Sequence, residues 1–191
     1  MLVLRFFSPI AVAIMWMGST SAFPSGAPIS ACSHLLPIHE DAVPQQSPAP
    51  YWLLLSDTNY TSRRPISLTV GSQQPFLAFM LQARAKNSKR PVGRFFSAPQ
   101  ASQFLRCENT DDTFSHAAAF GRTEMTVIWQ PPDEDVGQVS IVGSVAQNKY
   151  IFWVVESDIM EGSSAAVHTV PLTDHTHWSS LSSVLSTVYS C

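Results

Sequence analysis

The chain has 191 residues, with 11 Lys and Arg against 14 Asp and Glu and a formal net charge of −3. This mild acidity excludes a general nucleic-acid binder, which needs a strongly basic face, and the length suffices for one domain with a real hydrophobic core. Only 13% of the residues are charged and 14 are Pro, a balance that favours an extracellular β-rich domain over a helical bundle.

The N-terminus reads as a secretory signal peptide over residues 1–22. Arg5 precedes an apolar run from Ile10 to Met17, and Thr20-Ser21-Ala22 supplies small residues for cleavage. The run is shorter than the roughly 20 residues of a membrane span. Tyr51 to Leu55 and Tyr150 to Val155 are also short and polar-flanked, so no membrane span is expected. A mature domain is predicted over residues 23–160, secreted and extracellular.

Cys32, His34 and His39 follow in a Pro-rich stretch, Phe23 to Glu40, a spacing that raises a metal site, a catalytic thiol or a structural cysteine. The chain contains 3 Cys, so a secreted protein is expected to form one disulfide and leave one thiol. Cys32 and Cys107 border or lie within the strand-rich region, whereas Cys191 ends a polar tail. Cys32 is therefore paired with Cys107. That bond consumes the thiolate that zinc would use, and His34 with His39 falls short of the usual four N or S ligands. His116, His175 and His177 are the remaining imidazoles weighed. Neither a metal nor a cofactor is predicted.

Strand signals occupy the middle of the chain: Tyr51–Ser56, Ile66–Val70, Phe76–Arg84, Val92–Phe96, Thr113–Ala119, Glu124–Gln130, Gln138–Ala146 and Tyr150–Ser157. They are rich in β-branched and aromatic residues and bounded by Pro, Gly, Asn or Asp. Thr126 to Trp129 and Tyr150 to Val155 are more continuously apolar, as suits central strands. Pro131-Pro132 with the following acidic run marks a solvated loop, and Gln147 to Lys149 a hairpin turn. This spacing predicts an all-β fold, an immunoglobulin-like antiparallel β-sandwich of roughly eight or nine strands. Residues 161–191, rich in Ser and Thr, are expected to form a disordered C-terminal tail.

Two surface features carry chemistry. Asn59-Tyr60-Thr61 is an N-glycosylation sequon in a polar turn. Arg84, Lys86, Lys89, Arg90 and Arg94 form a basic cluster at a strand end, a loop and the next strand start, which suits an anionic ligand such as a sulfated glycan or lipopolysaccharide. No acidic residue lies between Asp57 and Glu108, while acidic residues dominate from Glu108 to Glu161; folding is expected to interleave the two halves. The sequence contains no His-Glu-x-x-His pair, Gly-x-Ser-x-Gly elbow, phosphate-binding loop or Cys-x-x-Cys pair. The chain is therefore read as a non-enzymatic binding module.

An ordered set of residues resembles the reeler domain found in reelin, the spondins, ferric-chelate-reductase-type membrane proteins and small secreted insect defence proteins. It comprises Phe23 to Pro28, Cys32, Pro37, His39, Phe76 to Arg84, Val92 to Phe95, Cys107, Ser115-His116, Trp129 to Pro132, Gly137 and Tyr150 to Val154. Ala78 departs from the Gly that the family tends to place between two aromatics. The resemblance implies an immunoglobulin-like sandwich and a disulfide between Cys32 and Cys107. It also implies a secreted module of innate-defence or extracellular-matrix type, recognising glycans, a microbial surface or an extracellular protein partner. The alternative is a truncated or spliced ectodomain of a ferric-chelate-reductase-like or receptor-like membrane protein, motivated by Cys191 at the end of a Ser-rich stretch.

Overall fold

A computed structural model describes residues 26–39, 42–62 and 64–162. A short 3-10 turn, Ile29–Cys32, precedes the strands β1 (Tyr51–Leu55), β2 (Asn59–Tyr60), β3 (Ile66–Phe76), β4 (Ala78–Ala85), β5 (Arg94–Phe96), β6 (Ser102–Leu105), β7 (Thr113–His116), β8 (Arg122–Gln130), β9 (Val139–Ala146), β10 (Phe152–Glu156) and β11 (Glu161–Gly162). Two antiparallel sheets face each other, one of four strands in the order β1-β3-β8-β5 and one of five in the order β10-β9-β4-β7-β6. A parallel pair, β2 with β11, sits apart from both sheets.

The period of two along each strand determines which side chains meet between the sheets. Ile66, Leu68 and Val70 of β3 and Met125, Val127 and Trp129 of β8 turn inward. They pack with Phe79, Leu81 and Ala83 of β4 and Val139, Ile141 and Val145 of β9 in one cluster. Phe79 and Phe114 lie 4.7 Å apart between ring centroids at the centre of this layer. The large inward side chains contribute about 1.5–3 kcal/mol each through burial. Trp129 is fully buried and its indole N–H donates to the Val92 carbonyl at 3.0 Å, so the deepest aromatic has no unsatisfied polar atom. Trp52 instead lies on the outer face of β1, over Gly71, where a Cβ would collide with its ring.

Several boundaries differ from the sequence expectation. Phe76 ends β3 instead of starting β4, because β3 runs through Pro75 in an irregularity between Gly71 and Phe76. There the Ser72 hydroxyl accepts the Gln74 amide at 3.0 Å and stabilises the bend. Ser102–Leu105 forms an edge strand where none was predicted, since all four of its side chains are half-buried and give no alternation. β7 stops at His116 instead of Ala119, β5 begins at Arg94 instead of Val92, and Tyr150 is exposed in the turn before β10. Glu161–Gly162, assigned to the tail, pairs with β2; residues 163–191 lie outside the described residues, as does the expected signal peptide.

Candidate functional site

The outer face of the five-stranded sheet organises the site. On a bare sandwich the outward positions of β4, namely Met80, Gln82 and Arg84, would meet solvent; here Met80 and Gln82 are buried. Residues 26–39 form a strap across this face, and Ala31 and Leu35 pack on Met80, flanked by Cys32, Cys107, Leu105 and Val142. Both faces of β4 are thus covered, which explains its nearly unbroken apolar run.

Polar clamps fix the strap at successive points. The Ala27 amide donates to the Ser115 hydroxyl at 3.4 Å. The Arg84 guanidinium donates to the Cys32 carbonyl at 2.8 Å and to the Ser33 carbonyl at 3.3 Å. The Ser144 hydroxyl donates to the Leu35 carbonyl at 2.6 Å. A disulfide joins Cys32 to Cys107, with Cα atoms 5.7 Å apart. Leu35 has φ 59°, a left-handed conformation costly for a γ-branched side chain, and it is held there by burial and by the Ser144 bond.

Two buried groups support these clamps. Gln82 donates to the Thr113 hydroxyl at 2.7 Å and accepts from Arg84 Nε at 2.8 Å. It thereby orients the guanidinium that binds the strap, and burial pushes the Arg84 pKa down from its usual value. The Asp112 carboxylate, fully buried, accepts the backbone N–H groups of Cys107, Glu108 and Asn109 at 2.9, 2.8 and 2.6 Å and the Thr113 hydroxyl at 3.0 Å. It fixes the loop that presents Cys107. Neither role was apparent in the sequence, although an Asp just before a strand and a few residues after a cysteine is the kind of residue that caps a turn.

The strap leaves a groove on each side, and Leu35 and Leu36 line both. The polar groove has a volume of about 430 Å³ and is walled by Arg84, Lys86, Gln138, Ser140 and Glu156. The apolar groove has a volume of about 460 Å³ and is walled by strap residues including Pro28 and Ile38, by Ala78 and Met80 of β4, by Ala146, and by His116 and Lys149.

The structure divides the five cations of the basic cluster among different tasks. Arg84 is committed to the strap, and Arg90 pairs with Glu108 at 2.9 Å. The Lys86 ammonium donates to the neutral side-chain oxygen of Gln138 at 2.8 Å and forms no ion pair among the described residues. Lys89 is exposed in the loop after β4, and Arg94 is exposed on β5 in the opposite sheet. Of the five, Arg84 and Lys86 line the polar groove, and Lys89 follows in the loop beyond its lining residue Ser88, so the cluster is not a single five-residue patch. Arg90 with Glu108 joins the basic stretch of the sequence to the first residue of the acidic one, whereas Arg64 with Asp57 is a local pair.

Asn59 is exposed at the start of β2, with Tyr60 buried between it and exposed Thr61. The Tyr60 hydroxyl donates to the Gly137 carbonyl at 2.7 Å, so the backbone of the sequon is anchored while its acceptor side chain faces outward. His34 Nδ1 accepts the Leu36 amide at 3.0 Å. Burial and the nearby Arg122 charge lower the His116 pKa, partly opposed by its bond to the Phe79 carbonyl. Among the described residues no three His, Cys, Asp or Glu side chains are grouped to hold a metal ion. His175, His177 and Cys191 lie outside the described residues.

Comparison with known proteins agrees with this architecture. Residues 30–167 match the reeler domain. The chain belongs to the reeler family. Among its relatives, a putative defense protein of Antheraea mylitta is 30% identical over 151 residues, covering 78% of this chain and 91% of that protein. A Drosophila melanogaster defense protein is 34% identical over 140 residues, covering 71% of this chain and 86% of that one. Ferric-chelate reductase 1 of Mus musculus is 30% identical over 158 residues, but the match covers only 26% of its length. The human F-spondin reeler domain superposes with a TM-score of 0.55 at 18% identity, covering 69% of this chain and 99% of that domain. The reeler fold is thus the all-β sandwich described above, and no described helix is long and apolar enough to cross a membrane.

Proposed function

We propose that this reeler-family chain is a secreted, non-enzymatic recognition module of the defence type, which binds glycans of microbial surfaces in the polar groove beside the strap. The groove carries the reading. Its walls present amide, hydroxyl, ammonium and carboxylate groups from Gln138, Ser140, Lys86 and Glu156 beside exposed Val154 and Ile159, the mixture of hydrogen-bonding groups and aliphatic surface that a sugar ring meets on its edges and faces. Lys86 on its wall, with exposed Lys89 further along the same loop, biases it toward anionic sugars. The match over nearly the full length of two defence proteins supports the setting. The disulfide and the outward-facing Asn59 suit an oxidising, glycosylating compartment.

Binding to lipopolysaccharide, peptidoglycan and heparin, measured at several salt concentrations, tests this reading. Lys86→Ala with Lys89→Ala is expected to weaken binding about three- to tenfold at low salt and less at high salt, because exposed charges are screened. Arg90→Ala, which removes a cation already paired with Glu108, is expected to change little. Absence of binding to all three ligands, or indifference to the double substitution, contradicts it.

A second reading, an ectodomain of a ferric-chelate-reductase-like protein, draws on the match to the mouse reductase over 80% of this chain. Full-length transcript sequencing tests it: a reading frame continuing past Cys191 into membrane-spanning segments supports it, and a stop codon there in every transcript removes it.

A further inference from the structure

The apolar groove on the other side of the strap differs in chemistry from the polar one. Among the described residues no carboxylate lines it, and its ionisable lining residues are His39, His116 and Lys149. Lys149 forms no ion pair among the described residues, and its ammonium lies 4.6 Å from the centroid of the Tyr150 ring. His116 Nδ1 lies 3.0 Å from the Phe79 carbonyl oxygen, which ties the ring to β4. The remaining walls are mostly apolar, including Ala78, Met80, Ala146, Leu35 and Ile38, with Ser30, Ser144 and Asn148 adding polar groups.

Volume sets the size of the occupant. At roughly 30 Å³ for a water-sized group, about 460 Å³ accommodates on the order of fifteen such groups. That is one medium-length alkyl chain and too little for two. Small side chains create the space: Ala78 and Ala146 face each other across the β4–β9 pair, where larger residues would fill it. The strap forms the other wall and is held by the disulfide and the Ser144 bond, so the groove is preformed and an incoming chain need not order it.

We propose that this groove is a binding site for a single-chain anionic amphiphile, a long-chain carboxylate whose tail lies between the strap and β4 and whose head group meets Lys149 at the rim. Burial of the chain supplies the affinity, and the Lys149 ammonium at the rim supplies the preference for a negative head. The site is separate from Lys86 and Lys89, so its occupancy and glycan binding are measured independently.

Displacement of a fluorescent fatty acid from the purified chain tests the proposal, using saturated carboxylates of 8 to 18 carbons, the corresponding alcohols, and lipopolysaccharide. Affinity is expected to rise about fourfold per added methylene and to level off near 14 to 16 carbons on the volume estimate of about one water-sized group per methylene. Ala78→Phe, which fills the groove, is expected to weaken palmitate binding at least about tenfold while the melting temperature is kept. Lys149→Ala, on an exposed turn, is expected to weaken carboxylates about three- to tenfold and leave the alcohols unchanged. Failure of every chain length to bind, as when residues of this chain already fill the groove, overturns the proposal. So does affinity that is independent of chain length. Displacement of palmitate by lipopolysaccharide at equal molar concentration overturns the single-chain assignment, since its several acyl chains exceed the volume. None of these outcomes bears on Lys86→Ala with Lys89→Ala, which tests the glycan reading.

Discussion

The five-stranded sheet is held on its two faces by different forces. Its inner face packs Phe79, Leu81, Ile141 and Val145 against the four-stranded sheet by burial alone, in a layer where Trp129, Leu68 and Phe95 are almost completely hidden. Its outer face buries only a small cluster around Met80, and there the strap depends on one disulfide, the Arg84 and Ser144 bonds, and the Asp112-capped loop. A large apolar layer tolerates the loss of any one hydrogen bond, whereas a strap with few apolar contacts depends on each fastening. The grooves lie on the second kind of surface, and their shape therefore depends on redox state and on a few polar residues more than on the core.

Substitutions in the two regions should separate them. Among single substitutions the largest effect is expected for Trp129→Ala, at about 3–5 kcal/mol of global stability by chemical denaturation, from lost burial and a residual cavity. Both faces would then melt in one transition; survival of the four-stranded sheet after loss of the five-stranded one would break the comparison. Replacing Cys32 and Cys107 together by Ser is expected to cost about 4–5 kcal/mol on the loop-entropy account and about 2–5 kcal/mol by typical removals, across a sequence separation of 75 residues. Unlike the Trp129 change, it should also release the strap locally, and both grooves should lose ligand binding before the core unfolds.

Asp112→Ala strands three backbone N–H groups and is expected to cost about 1–3 kcal/mol, read as a lower denaturation midpoint, together with easier reduction of the disulfide that its loop presents. An unchanged reduction rate would show that Asp112 stabilises β7 without holding Cys107. The smallest effect belongs to His116. Its pKa is lowered in the fold, chiefly by burial, so the unfolded chain binds the proton more readily. Its contribution is fully present above the ordinary value of 6.5 and is lost as pH falls through the depressed folded value. Melting temperature should therefore decline below about pH 6.5, and His116→Asn should flatten that decline.

The inner face was the more legible of the two. Met125, Val127 and Trp129 alternate with exposed or half-buried neighbours, and that alternation identifies a strand and its buried side at once. The strap carried weaker signals: pairing Cys32 with Cys107 tied the segment to the domain, but no local pattern shows that Leu35 sits on Met80 across the outer face. Arg84 illustrates the limit most clearly. Grouped by sequence it belongs with Lys86, Lys89, Arg90 and Arg94, yet its side chain points from a strand toward the Cys32 carbonyl while Arg94 lies on the other sheet. Charge proximity along the chain says little about proximity in space when neighbouring strands belong to different sheets. The apolar groove was illegible for a related reason, because small residues such as Ala78 and Ala146 signal empty space only when the wall opposite them is known. β2 and β11 are too short for any period to register.

Amide hydrogen exchange on the oxidised and reduced protein tests the separation of the strap from the core most directly. The reporters are Leu35, whose N–H donates to the Ala31 carbonyl at 2.7 Å, and Val127 in the central strand β8. Reduction is expected to lower global protection at Val127 and to make Leu35 exchange about a hundredfold faster than Val127, by local opening of the strap. Equal protection at the two sites, falling together on reduction, would show that strap and core open as one unit and would contradict the account.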